Sequence, residues 1–265
     1  MSGQQRIQAI LFDWAGTTVD FGSRAPAQVF VEIFRQRGVA ITVAEAREPM
    51  GRAKRDHIAA VVAMPRVAQE WQRVHGQPAA EADVTAMYED FLPLQKSVLS
   101  EGSDVIAGIP ATMAWLRQRG IRIGSTTGYT RELMSVVAPL AAAQGYTPDV
   151  IVCSDEVSAG RPAPWLNLRA AAELRTDTAS NVMVVDDTIV GIQAGQAAGM
   201  MTVAVSLTGN AMGLSLAEVC ALPANELSER LLAIEQEFLD AGADYVITSV
   251  AELPELLRGK PFELT

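Results

Sequence analysis

Short apolar runs recur along the chain with the look of buried parallel strands: IQAILFD (7–13), IRIGSTT (121–127), DVIVCS (149–154), NVMVVDD (181–187), MTVAVSL (201–207) and DYVITS (244–249). Helical patterns fill most of the gaps between them. IPATMAWLRQRG carries Pro110 at a helix start and Gly120 at its end. TRELMSVVAPLAAAQG opens on Thr130 as an N-cap and closes on Gly145. Strand alternating with helix predicts an α/β fold with a doubly wound parallel sheet, Rossmann-like in plan.

The stretch after the first strand breaks this rhythm. Residues 22–103 offer no convincing strand and a succession of helices. Thr42 and Glu45 form a capping box, Pro49 and Pro65 divide helical pieces, and a long helix from about 81 is expected to bend at Pro93. The expected organisation is a core domain from residues 1–21 and 104–265 with a helical cap domain, 22–103, inserted in it. The chain would then cross between the units twice, near 21–25 and 100–105, with Gly22 and Gly102 as hinges.

Charge and composition narrow the partners. The chain has 265 residues, 49% hydrophobic and 20% charged, with a net charge of −10. That balance argues against nucleic acid or an anionic membrane as partner. Cys153 and Cys220 stand far apart without a metal-binding spacing, so neither a disulfide framework nor a zinc site is expected. The start lacks a signal-peptide core and no run reaches membrane-span length, so the reading is a soluble, cytoplasmic protein. There are three lysines, Lys54, Lys96 and Lys260, against eighteen arginines. Chemistry that needs an amine has few candidates.

The candidate chemistry lies where strands end, because ligands of an open parallel sheet gather beyond its carboxyl edge. The first run ends on Asp13, the second on Thr126 and Thr127, the fourth on Asp186 and Asp187. Clustered carboxylates ask for a hard cation such as Mg²⁺. The N–H groups of AGTT (15–18) and the helix start after TTGYT (126–130) are candidates to cradle a tetrahedral anion. A single aspartate at a strand end is commonly just a helix cap. The ordered set of DWAGTT, STTG, a basic residue at Arg161 and then DD is much harder to reach by chance.

DWAGTT, STTG, GRP and VDD, in this order, resemble the four motifs of the haloacid dehalogenase superfamily. The resemblance implies that Asp13 is the nucleophile, forming an aspartyl-phosphate, and a ligand of Mg²⁺. Thr126 and Thr127 would belong to the phosphate-binding motif, Arg161 stands where the superfamily usually has lysine, and Asp187 would be the metal carboxylate. Asp186 is either a second ligand or a residue just behind the ligands. Ala15 departs from the pattern, since phosphatases and mutases of the superfamily carry there an aspartate that protonates the leaving group. Alanine cannot donate a proton, although its backbone carbonyl can still face the metal. A leaving group stabilised as a carbanion by an imine needs no such acid.

An imine requires a lysine. On a helix, Met50, Lys54, His57 and Ile58 share one face at i, i+4, i+7 and i+8. Partial burial together with Arg52 and Arg55 would favour the neutral amine, and His57 could shuttle its proton. A lysine that merely snorkels from an amphipathic helix is the plainer reading of Lys54 alone. DWAGTTVD, PMGRAKRDH, GSTTGYTRE, AGRPAPW and GNAMGLS together are closely similar to the phosphonatase family, which cleaves the carbon–phosphorus bond of phosphonoacetaldehyde. That resemblance implies a Schiff base on Lys54, Met50 lining the site, a small phosphonate as substrate, and a homodimer through cap helices. Tyr129 is placed to face the cap, to touch substrate or His57, or simply to pack. Gly128 is read as letting backbone approach phosphate closely. Trp14 is read as buried behind the nucleophile, and His75 as a surface residue without a role. An ordinary phosphate-ester hydrolase lacks the acid it would need at Ala15. A halide-releasing enzyme has no use for the Asp186–Asp187 pair, nor a silent binding protein for Asp13 and Lys54.

Overall fold

The structure, a computed structural model, describes residues 5–99, 103–260 and 262–264. All six predicted strands form, and they make one parallel sheet. β1 (Gln5–Ile7) leads into β2 (Ala9–Phe12). Five helices then follow without a strand: α1 (Arg24–Gln36), α2 (Val43–Arg47), α3 (Lys54–Ala63), α4 (Pro65–His75) and α5 (Glu81–Val98). The alternating part comprises α6 (Ile109–Arg117), β3 (Arg122–Thr126), α7 (Arg131–Ala143), β4 (Val150–Val152), α8 (Trp165–Glu173), β5 (Val182–Asp186), α9 (Ile189–Ala197) and β6 (Met201–Val205). The chain finishes with α10 (Leu216–Ala221), α11 (Ala224–Asp240), β7 (Tyr245–Ile247), α12 (Leu253–Gly259) and β8 (Phe262–Leu264). No described helix is long and apolar enough to cross a membrane, and both cysteines are free.

The sheet order is β4-β3-β2-β5-β6-β7, so the chain reverses its direction of travel around β2, where an open sheet forms its crevice. Registers align the strand ends: Phe12 pairs with Ser125 on one side and Val185 on the other. Asp13 therefore emerges level with Thr126 and Asp186. A second, two-stranded sheet of β1 and β8, which the apolar pattern does not announce, joins the two ends of the chain. Both strands are only three residues long, too short for a periodicity to show.

The expected caps hold. Thr130 accepts from the Leu133 amide at the start of α7, and Thr42 and Glu45 close a reciprocal capping box on α2. Helices α1–α5 bury their own apolar cluster, with Phe30, Phe34, Ile58, Trp71, Met87 and Phe91 at its centre. Side chains of this size contribute roughly 1.5–3 kcal/mol each when fully buried. The sheet buries separate clusters on its two faces, one around Phe12, Trp14 and Ile123, the other around Leu11, Leu166 and Val184. The two crossings between helical unit and sheet lie side by side. The Asp20 amide donates to the Asp104 carbonyl (3.0 Å) and the Ile106 amide to that of Thr18 (2.9 Å). Gly22 has a φ of 84°, and Asp20 and Ser23 share the left-handed region. Gly102, the other expected hinge, lies outside the described residues.

Candidate active site

Three carboxylates meet at the carboxyl edge of the sheet. Oxygens of Asp13, Asp186 and Asp187 lie within 4.8 Å of one another, and all three residues are buried. Strand geometry alone does this, since β2 and β5 are adjacent, in register, and end together. Each carboxylate is held separately. Thr17 Oγ1 donates to Asp187 Oδ1 (3.0 Å) and the Asn210 amide to Asp187 Oδ2 (2.7 Å). Thr188 donates its amide and its hydroxyl to Asp186 Oδ1 (2.9 and 2.7 Å).

Arg161 is the cation in this cluster. Its Nη1 donates to Asp13 Oδ1 at 2.6 Å, and Nη2 donates to the carbonyl and hydroxyl of Thr126 (3.0 and 2.8 Å). The same Nη1 lies 3.1 Å from Asp186 Oδ2, at an angle that leaves this oxygen without a hydrogen bond. Burial pulls the Arg161 pKa down, but the charges of Asp186, Asp13 and Asp187 outweigh it and the net direction is up. One guanidinium cannot balance three acids. Burial, despite Arg161, pushes Asp186 up to about 7. Burial followed by Asp13 and Asp186 pushes Asp187 well above the ordinary carboxylate range. A buried acidic cluster with an unpartnered carboxylate oxygen is short of positive charge, and its all-oxygen donor set suits Mg²⁺.

Lys54 reaches this cluster from the helical unit. It is the first residue of α3, buried, with Nζ 4.8 Å from the centre of the Tyr129 ring and 5.6 Å from that of Phe30. Its pKa is lowered to about 8. Burial is the main cause, opposed by Asp13 and assisted by Arg161. Its place at a helix N-terminus, where a cation is disfavoured, acts in the same direction. Burial is therefore the cause expected, and only the identity of the neighbouring cation is corrected. Neither Arg52 nor Arg55 lowers it, because Arg55 turns away to an ion pair with Glu81. The expected helical face is corrected as well. Met50 sits in the turn before α3, where its amide donates to the Arg47 carbonyl (3.0 Å), and it meets Lys54 by loop packing.

Asp13, Ala15, Met50, Lys54, Thr127, Gly128, Tyr129 and Arg161 line one cavity. Its volume is about 20 Å³, room for one or two waters. Ser23, Pro26, Gly51 and Thr188 also line it, and none of these was legible as a site residue. Thr126 and His57 do not line it. Thr126 instead holds Arg161. His57 stacks on Phe30 (3.6 Å between centroids) and donates Nε2–H to the Ala46 carbonyl (2.9 Å), leaving Nδ1 unpartnered. Burial, with the nearby Lys54 charge, holds its pKa well below 6.5, so the ring stays neutral.

Backbone contacts around the cavity add detail to two further expectations. The amides of Gly16, Thr17 and Thr18 donate to carbonyls inside their own turn, and those of Arg131 and Leu133 to Asp155 and Thr130. These five N–H groups are therefore engaged and are not free to bind an anion. Gly128 admits the helical unit: a Cβ there would stand 2.6 Å from the Arg52 carbonyl oxygen. Gly51 (φ 92°) does the same from the other side, with Thr188 Oγ1 2.4 Å from where its Cβ would be. Trp14, next to Asp13, is buried as expected, donating to Ser125 Oγ (2.8 Å). His75 lies exposed at the end of α4 against Trp71.

An aspartate at the tip of the central parallel strand, a basic residue on it, and a carboxylate pair on the neighbouring strand define the class. The chain belongs to the haloacid dehalogenase-like hydrolases, whose sequence model matches residues 7–199. Within that class it falls among the phosphonoacetaldehyde hydrolases. It is 47% identical to the one from Bacillus cytotoxicus and 46% identical to one from Bacillus cereus, over 96% of each chain. Among solved structures, a phosphonoacetaldehyde hydrolase-like protein from Oleispira antarctica superposes with a TM-score of 0.95 at 39% identity. That match covers 98% of this chain and 94% of the other.

Proposed function

We propose that this protein hydrolyses the carbon–phosphorus bond of phosphonoacetaldehyde to acetaldehyde and phosphate. One observation carries the reading: a buried amine with its pKa lowered to about 8 shares a small cavity with a strand-end aspartate that has no acid two residues on. The Lys54 amine adds to the aldehyde carbon and water leaves, giving an iminium. Asp13 attacks phosphorus. The carbon–phosphorus bond breaks and its electrons enter the iminium, forming an enamine on Lys54. The enamine takes a proton at carbon and is hydrolysed, releasing acetaldehyde and the free amine. Water then cleaves the aspartyl-phosphate. No leaving-group acid is needed at any point, which accounts for Ala15.

Arg161 holds Asp13 in place and faces the charge of the phosphonate oxygens. Asp13, Asp186 and Asp187, with the Ala15 carbonyl, would hold Mg²⁺, which when bound offsets charge on the phosphonate oxygens. Thr127, Gly128 and Tyr129 line the substrate space with Met50. Neutral His57 braces the first turn of α3 and has one lone pair, on Nδ1, to accept a proton. A cavity of about 20 Å³ cannot admit the substrate, so residues 22–103 are a cap domain that opens for entry and closes for chemistry. We assign the enzyme to the cytoplasm and to a homodimer; gel filtration of the full chain tests the latter.

Borohydride trapping tests the reaction. Reduction in the presence of phosphonoacetaldehyde is expected to leave a two-carbon adduct on Lys54, with phosphate released in parallel and no adduct in Lys54→Arg. Phosphate release from simple esters without an adduct would remove the assignment.

A further inference from the structure

We propose that Arg47 is the latch of the cap: it fastens the closed cap to the loop that holds Asp187, so that closure and the ordering of the metal carboxylate are one event. The inference rests on the function proposed above and adds a positioning residue to it. Arg47 is the last residue of α2 and touches neither the cavity nor the carboxylates. Its Nη1 donates to the carbonyls of Gly22 (2.9 Å) and Asn210 (3.2 Å) and to Asn210 Oδ1 (3.0 Å). Its Nη2 donates to the Gly213 carbonyl (3.1 Å), and Asn210 Nδ2 returns a bond to the Arg47 carbonyl (3.3 Å). One side chain thus joins the cap, the first crossing and the loop after β6.

That loop is where the latch gains a consequence. The amide of Asn210, the residue Arg47 grips, is the donor to Asp187 Oδ2. Two residues earlier, Thr208 Oγ1 donates to the Gly16 carbonyl in the turn behind Asp13 (2.8 Å), and the Thr208 carbonyl accepts from the Gly22 amide (2.7 Å). Opening the cap moves Arg47 away and leaves this loop without its outer support. The partners are mostly backbone carbonyls, which water satisfies as well when the cap is open. The latch therefore biases an equilibrium and is not required for folding. Arginine suits the role because its rigid fork serves several acceptors at once, which a lysine ammonium on a flexible stem cannot.

Arg47→Met and Arg47→Lys test the proposal in the full chain by two independent readouts. Amide hydrogen exchange, without substrate, is expected to quicken about tenfold or more at Gly22 and Asn210 and to stay unchanged in β2 and β5. Steady-state turnover of phosphonoacetaldehyde is expected to show KM raised about tenfold with kcat within twofold, since only the closing equilibrium changes. Asn210→Ala in the Arg47→Met background is expected to add little to either change. Unchanged exchange at both amides would overturn the latch, and so would a loss of kcat at constant KM or full additivity of the two substitutions. The exchange readout needs no substrate, so it stands or falls apart from the assigned reaction.

Discussion

At Lys54 stability and chemistry oppose each other. An amine whose folded pKa lies below its unfolded value binds its proton less tightly in the fold. Its burial therefore costs stability at every pH below about 8, and the cost fades between about 8 and 10.5. Lys54→Met is accordingly expected to abolish turnover yet stabilise the protein at pH 7. At about 1.4 kcal/mol per pH unit, and allowing for lost ring contacts, the gain is about 1–3 kcal/mol. Thermal unfolding at pH 7 and pH 10 checks this, and the gain should shrink at the higher pH. Lys54 and Ala15 were both legible in the sequence because each departs from a pattern: a lone amine in a lysine-poor chain and a missing acid. Arg47 and Asn210 were not, because what makes them matter is contact across more than twenty residues.

Among the elements, strands were read more accurately than the turn that precedes α3. Strand runs such as NVMVVDD are buried on both faces, so hydrophobicity marks them directly. Met50 was read on one helical face with Lys54 because their spacing is helical, but the helix begins only at Lys54. Gly51 at φ 92° breaks the pattern there. The same turn docks on Gly128 through the Arg52 carbonyl, which yields a prediction. Gly128→Ala forces a Cβ to within 2.6 Å of that oxygen, and it is expected to cost about 1–3 kcal/mol of closed-state packing. Turnover should fall tenfold or more while β2 and β5 keep their exchange protection; kinetics with hydrogen exchange measures both.

On the scale of the whole molecule, Lys54 from the helical unit and three acids at the sheet edge are buried together. Asp186 and Asp187 have folded pKa values above their unfolded ones, so the fold loses stability as pH rises above the ordinary carboxylate range, for Asp186 up to about 7. A bound divalent cation relieves that cost. The rise in melting temperature on adding Mg²⁺ is expected to be larger at pH 7.5 than at pH 5, and thermal unfolding at both values checks it. Equal rises would mean that the ion binds elsewhere.

The sequence by itself determined the strands and the order of their chemistry-bearing ends. These follow from local hydrophobicity and from residue types that are costly to place without a use. Only the tertiary structure decided that burial outweighs neighbouring charge at Lys54, that Thr126 serves Arg161, and that Gly128 admits the helical unit. It also decided that Arg47 joins the cap to the Asp187 loop. Desolvation and hydrogen bonding depend on what lies within a few ångströms in space, and for this chain those neighbours come from segments separated by the whole cap.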